Sequence, residues 1–346
     1  MSFKQPIPRV ILGEYGIPNA NEYSNLRSPG PWNIEKYKEN IKISVVKKTE
    51  EDGICKEIEF DIVGCSHALA NAYRRIMLSE IPSMAIEKVF ILNNTSMIQD
   101  EVLAHRLGLV PLKANPMFFD DPSPSTNDND EVSEQDTLRY ELKIKCTKNP
   151  EAPKDSQEPK AIYCNSHVYS SDIQWVPLGG QKNMYPNGEN DFGMLEKDIL
   201  ICKMRPGQEI CAYMHAVKGV GKDHAKFSPV ATATYRLLPD IQLKKKITGE
   251  LAEKLQSYFS PGVIELVKTK DGVEAKVKDA RYDSCSRNVY GNDELKNSVD
   301  LGRISNHFIF NVETVGAIPP NVIFLESVKV LKKKCRVFLE ELDNIS

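Results

Sequence analysis

Apolar and polar residues alternate through Ile41, Ile43 and Val45, and again through Ile58, Phe60 and Ile62. A period of two belongs to a strand with one face covered, so each run predicts a strand. The intervening KTEEDGICK holds Asp52-Gly53, a turn signal, which predicts a hairpin. The period then changes. In SHALANAYRRIMLSEIP, Leu69, Ala72, Tyr73 and Ile76 fall at i, i+3, i+4 and i+7, one stripe of an α-helix. Ser66 is placed to cap that helix, and Pro82 limits it, because the residue before a proline resists helical angles. AIEKVFILNN reads as a strand and DEVLAHRLGLVPL as a second helix. Asp100 and Glu101 suit the positive end of its dipole, and Gly108 and Pro111 mark its exit.

The pattern breaks after residue 114. DDPSPSTNDNDEVSEQD carries seven acids, two prolines and no basic residue, the composition of a disordered loop. YELKIKC alternates again through Tyr140, Leu142, Ile144 and Cys146, and KNPEAPKDSQEPK forms a second polar loop. The runs ILICKM and EICAYMHAV complete a β-rich middle region near residue 218. Beyond 228, PVATATYRLLP, VIELV, VEAKVK and HFIFNVE read as strands. The closing segment spaces Phe324, Val328, Leu331, Cys335, Phe338 and Leu342 by 4, 3, 4, 3 and 4, a heptad-like seam on a helix opening at Pro320. Ile323, Leu325, Val330, Val337 and Leu339 add apolar groups on flanking faces, and a helix apolar on several faces needs more than one covering partner. Residues 1–39, rich in Pro, Asn and Gly, have no period and read as an extended arm. The mixture predicts an α+β fold.

With 346 residues the chain is long enough for roughly two domains. A net charge of −3 argues against a surface selected as a whole for nucleic acid. The apolar run Val10–Leu12 is too short for a signal-peptide core, and nothing approaches the ~18 apolar residues of a membrane span. None of the eight cysteines forms a C-x-x-C pair, which predicts reduced thiols in an intracellular protein. Cys146, Cys164, Cys202 and Cys211 would have to order long loops to meet at one ion, whereas structural zinc takes closely spaced pairs. No metal or other cofactor is expected.

The stretch that most resembles a catalytic loop is GVGKDHAKFSP, residues 219–229. A phosphate-binding loop needs G-x-x-x-x-G-K-[ST]. With Gly221-Lys222 in place, Ala216 stands where the first glycine belongs and Asp223 where the hydroxyl belongs. A strand rather than a helix follows, so no helix N-terminus is offered. The loop reads as a tight connection using glycine's freedom at positive φ. His67, His105, His215, His224 and His307 lack sequence-local partners for a catalytic role. The lysine runs 244–246 and 332–334 read as solvated faces, with nucleic-acid contact as the alternative. On the first helix, Asn71, Arg74, Arg75 and Leu78 face away from the apolar stripe. They form either a solvated face or a protein interface, where arginine is enriched.

NAYRRIMLSEIPSMAIEKVFILNNTSMIQDEVLAHRLGLVPL (71–112) resembles the α-motif of RNA polymerase α-like subunits, a family with archaeal, bacterial and eukaryotic members. HAKFSPVATATYRLLP and HFIFNVETVGAIPP are similar to later blocks of that family, and the likeness covers roughly 40–114 and 219–342. Within the family the sequence looks like the larger α-like form shared by eukaryotic polymerases I and III. The acidic loop, the connector and the amino-terminal arm favour that form. The polymerase II relative has a cysteine-rich zinc site in the inserted domain, and some archaeal counterparts an iron–sulfur cluster; the close cysteine pairs these need are absent here. A counterpart of the bacterial subunit's DNA-binding carboxy-terminal domain is not expected, since the sequence stops with its last helix.

The resemblance implies a dimerisation domain in two segments, 40–114 and 223–346, interrupted by an inserted β-rich domain at 115–222 and preceded by the arm 1–39. It implies a non-catalytic subunit that pairs with a smaller α-like subunit and forms a platform for the second-largest subunit and small zinc-binding subunits. Nucleic acid is then met only through the complex, and no membrane is involved. Transcription of ribosomal RNA, 5S RNA and tRNA genes in the nucleus, including the nucleolus, follows. The interface expected from the residues and the resemblance comprises Asn71, Arg74, Arg75, Leu78, Phe324, Val328, Leu331, Cys335, Phe338 and Leu342. The connector 219–229 is then the re-entry into the dimerisation domain, with no catalytic duty. Two other classes stand beside this one: a free-standing enzyme using the Gly-Lys-His loop, and a nucleic-acid-binding module.

Overall fold

A computed structural model describes residues 9–18, 20, 33–51, 54–122, 133–153, 157–269 and 272–345. In chain order the strands are β1 (Arg9–Ile11), β2 (Lys42–Glu51), β3 (Ile54–Val63), β4 (Pro82–Asn94), β5 (Thr137–Lys145), β6 (Thr147–Lys148), β7 (Tyr163–Cys164) and β8 (His167–Tyr169). They continue as β9 (Gln174–Val176), β10 (Leu200–Lys203), β11 (Glu209–Val220), β12 (Val230–Leu243), β13 (Ile264–Thr269), β14 (Gly272–Val277) and β15 (Val299–Thr314). The longer helices are α1 (Ile34–Asn40), α2 (His67–Ser79), α3 (Asp100–Gly108), α4 (Glu250–Tyr258) and α5 (Pro320–Ile345). The chain divides into two compact units, one of residues 1–47, 59–71 and 234–311, the other of 48–58, 72–233 and 312–346.

The first unit is organised on a five-stranded sheet in the order β1-β15-β3-β2, with β12 also paired to β15. The alternation in β3 buries Ile58, Phe60 and Ile62, and Phe60 stacks on Phe310 with centroids 5.3 Å apart. β2 also alternates, but it is the edge strand, and Ile43, Val45 and Val46 are exposed on both of its faces. Asp52 and Gly53, the expected turn, lie outside the described residues. On the sheet's polar side the Arg281 guanidinium binds the Glu59 and Asp61 carboxylates, and His307 Nε2 lies 2.9 Å from Asp61 Oδ2. A second core forms where α4 and the β13–β14 hairpin bury Leu255, Val263, Ile264 and Ala275. α4 is absent from the expected elements, although Leu251, Leu255 and Tyr258 fall at i, i+4 and i+7, one helical stripe.

The arm expected at 1–39 is ordered where it is described. Arg9–Ile11 pairs with Gly302–Ile304 of β15, and the Arg9 side chain binds Asp240 and Asp300. Asn33 caps α1, its side chain accepting from Glu35 N and Lys36 N at 2.9 and 3.1 Å. Cross-strand pairing and ion pairs thus hold segments that lack hydrophobic periodicity.

The second unit centres on a four-stranded antiparallel sheet in the order β4-β11-β5-β9. Ile210, Ala212, Met214 and Ala216 of β11 are buried, as are Leu138, Tyr140, Leu142 and Ile144 of β5 and Leu103 and Leu107 of α3. Tyr140 donates its hydroxyl to the Phe192 carbonyl at 2.6 Å, and burial pushes its pKa far up. The acidic stretch is structured at its edges, contrary to its composition. Glu134 accepts from Gly180 N, and Gln181 Nε2 donates to the carbonyls of Glu134 and Thr137, each at 2.8 Å. Residues 123–132 and, in the second polar loop, 154–156 lie outside the described residues.

Candidate interaction surface

The connector 219–229 needs its glycines for space. Neither Gly219 nor Gly221 takes a positive φ, contrary to the expected turn. A Cβ on Gly219 would lie 2.7 Å from the Phe227 ring, and one on Gly221 would lie 2.3 Å from the Leu78 carbonyl oxygen. The close approach lets Lys222 N donate to Ser79 O at 2.8 Å, tying the connector to the end of α2. His224 Nδ1 accepts from Lys226 N at 3.1 Å, while Lys226 Nζ donates to Ile86 O at 2.8 Å and pairs with Glu87. His224 and Lys226 are thus engaged locally, whereas Lys222, the lysine aligned with a phosphate loop, is exposed with its amide bonded to the end of α2.

α2 is capped by Ser66, whose Oγ accepts from Leu69 N at 3.3 Å. Its fully buried line is Ala70, Ile76 and Met77; Leu69, Ala72 and Tyr73 of the expected stripe are half-buried. Arg75 is exposed, while Asn71, Arg74 and Leu78 are half-buried. Leu78 is thus less open than expected, since the connector packs against its carbonyl. α2 and α5 run alongside each other: Tyr73 meets Phe324 edge to face at 5.5 Å, and two turns on Glu80 pairs with Lys334 at 2.5 Å.

α5 buries a different line from its heptad-like seam. Pro320, Ile323 and Ser327 face inward, and Ser327 satisfies its hydroxyl by donating to Phe324 O at 2.6 Å. Phe324 and Leu331 of the seam are half-buried, and Val328, Cys335, Phe338 and Leu342 are exposed. Every residue from Lys332 to Asn344 is exposed. Phe338 retains 62% of its accessible surface and Leu339 60%, with Val337 and Leu342 also open. An apolar helix end of this kind marks an interaction surface.

The other candidates do not converge. His67 packs edge-on to Phe308 at 5.3 Å, and His215 edge-on to Phe90 at 5.0 Å. Burial foremost, then the charges of Arg139 and Lys88, pushes the His215 pKa down. Cys146 and Cys202 are buried, Cys164 is exposed and Cys211 half-buried. Among the described residues no three metal-ligating side chains gather. In the lysine runs, Lys334 pairs with Glu80 and Lys244 lies 3.8 Å from Asp300. Sequence reasoning passed over His167, which stacks on Tyr169 among basic residues brought from distant segments.

An α+β chain whose long terminal helix carries an open apolar end has the features of a protein that meets a partner there. Residues 59–335 match the RNA polymerase Rpb3/Rpb11 dimerisation domain, and the chain belongs to that family. It is 46% identical over 343 residues to the Homo sapiens DNA-directed RNA polymerases I and III subunit RPAC1, covering 97% of this chain and 96% of that protein. It is 46% identical over 303 residues to the Saccharomyces cerevisiae protein of the same name, covering 88% of each. Identity to the Dictyostelium discoideum DNA-directed RNA polymerase II subunit rpb3 is 31% over 283 residues, covering 77% of this chain and 85% of that protein.

Proposed function

We propose that this chain is the larger α-like subunit shared by RNA polymerases I and III, a non-catalytic subunit of a complex whose chemistry lies in the largest subunits. Near-full-length similarity to proteins of that name supports the reading, and the I and III forms match at higher identity than the polymerase II form cited. Its partner is the smaller α-like subunit. The heterodimer is the platform on which the second-largest subunit and the small zinc-binding subunits dock. The dimerisation domain is assembled from 40–114 and 223–346 around the insert 115–222. Through the complex the chain serves transcription of ribosomal RNA, 5S RNA and tRNA genes, in the nucleus and nucleolus.

The observation that carries the dimer is the exposed apolar end of α5, Val337, Phe338, Leu339 and Leu342. Covering a fully exposed side chain of this size contributes about 1.5–3 kcal/mol, and these keep roughly half their surface open, so covering the cluster favours association by a few kcal/mol. Co-expression with the smaller α-like subunit is expected to give a 1:1 complex by mass measurement, and the chain alone to self-associate. A well-behaved monomer that ignores the smaller subunit would refute the reading.

A further inference from the structure

Two short antiparallel ribbons in the second unit, β6–β7 and β8–β10, gather charges that lie far apart in sequence. Lys203 stands opposite His167, and His167 stacks on Tyr169 with ring centroids 6.3 Å apart and planes 16° apart. Lys160, from the helical turn Pro159–Ile162, places its ammonium 5.3 Å from the centre of the Tyr169 ring. The Arg205 guanidinium lies 5.9 Å from the centre of the Tyr163 ring. Lys160, Lys203 and Arg205 are exposed, and none has a carboxylate within ion-pair distance among the described residues. Asp172 turns its carboxylate to Tyr169 N at 2.8 Å. The imidazole registers the local field: burial first, then Lys160, Lys203 and Arg205, push the His167 pKa down.

Elsewhere in this unit Lys145 pairs with Glu209, Lys218 with Asp121 and Lys226 with Glu87, while exposed Lys143, Lys148, Lys182 and Lys197 stand singly without an ion pair among the described residues, so it is the clustering around His167 that sets this patch apart. Three clustered cations, Lys160 and Arg205 over tyrosine rings and Lys203 opposite His167, none ion-paired among the described residues, are complementary to an anionic partner in a chain of net charge −3. The features favour carboxylates over nucleic acid. The overall charge repels a polyanion, whereas a short acidic segment feels chiefly the local field. Cations occupy ring faces on which bases would stack. Three cations also fall short of the roughly 6–10 phosphate contacts of a salt-sensitive nucleic-acid site. The guanidinium fork and two ammonium groups instead suit two or three carboxylates.

We propose that the patch formed by Lys160, Lys203, Arg205, His167 and the two tyrosines docks an acidic peptide segment of a neighbouring polymerase subunit. The proposal rests on the reading that the chain works inside a polymerase. Carbodiimide treatment of the purified polymerase tests it, because zero-length coupling joins a lysine amine only to a carboxylate in contact with it. Lys160 or Lys203 is expected to link to an Asp or Glu of another subunit, with the link suppressed in 1 M salt. A Lys203→Glu, Arg205→Glu double variant that still assembles should release the linked subunit roughly fivefold faster. Failure of both lysines to link to another subunit, while other lysines of the chain do, overturns the proposal. So does protection of both lysines by RNA or DNA. Absence of the chain from the purified polymerase overturns this proposal and the polymerase reading together.

Discussion

Replacing Gly221 with alanine tests whether the connector's glycines are there for space. The new Cβ would lie 2.3 Å from the Leu78 carbonyl oxygen, and Cβ contacts under 3.0 Å are essentially never seen, so one side must move by at least about 0.7 Å. The obstacle is helix backbone, which cannot rotate aside. Overpacking of this kind costs about 1–3 kcal/mol. The shift would also strain the bond from Lys222 N to Ser79 O, worth about 1 kcal/mol. At ~2–4 °C per kcal/mol for a domain of 150–250 residues, Gly221→Ala should lower the melting temperature by roughly 5–10 °C. Gly219→Ala should cost less, because its obstacle is the Phe227 side chain, which can turn. Gly291 has nothing within 4 Å of its would-be Cβ and no positive φ, so Gly291→Ala serves as the control within about 0.5 kcal/mol. Thermal melts followed by circular dichroism decide the matter. A Gly221→Ala protein melting within a degree of both wild type and control would refute the argument.

Phe338 is 62% exposed, so Phe338→Asp should leave the isolated chain's melting temperature unchanged while weakening binding of the smaller subunit ~100-fold, about 3 kcal/mol, by calorimetry; Leu78→Asp should weaken it less. Substituting 123–132 with a Gly/Ser linker should leave the melt within a few degrees, whereas Glu134→Ala, which removes the acceptor for Gly180 N, should cost about 1–2 kcal/mol. Burial foremost raises the Asp283 pKa, partly opposed by hydrogen bonds from Cys285 and by Arg303 and Arg236, and its Oδ1 finds no partner among the described residues. A raised folded-state pKa stabilises below the unfolded value and loses that stabilisation as pH rises through the folded one. Asp283→Asn should therefore match wild type near pH 3–4 and gain on it towards pH 7 in urea titrations; a gap that shrinks with rising pH would contradict the assignment.

The parts of the fold visible in the sequence are those where burial follows the backbone period. β3 and β5 alternate because one sheet face is covered, and Phe60, Ile62, Tyr140 and Leu142 are buried accordingly. β2 alternates equally well yet stays open, since periodicity reports the pleat and not whether anything lies over it. On α5 the heptad-like seam drew attention, but the buried line includes Ser327, whose hydroxyl is satisfied locally and which no hydrophobic count selects. Arg9 lacked any signal because its partners, Asp240 and Asp300, lie more than 200 residues away. The His167 cluster was hidden for the same reason: strand pairing, not spacing, brings Lys203 and Arg205 to it.

Hydrogen exchange along α5 bears most directly on the dimer. Residues 332–344 are exposed, the apolar Val337, Phe338 and Leu339 among them, so their amides should open locally and exchange fast in any monomeric fraction of the isolated chain. In the co-expressed complex with the smaller α-like subunit, the same amides are expected to slow by at least ~100-fold, while those at 322–327, already packed beside α2, change little. Equal exchange at 332–344 with and without the smaller subunit would contradict the account.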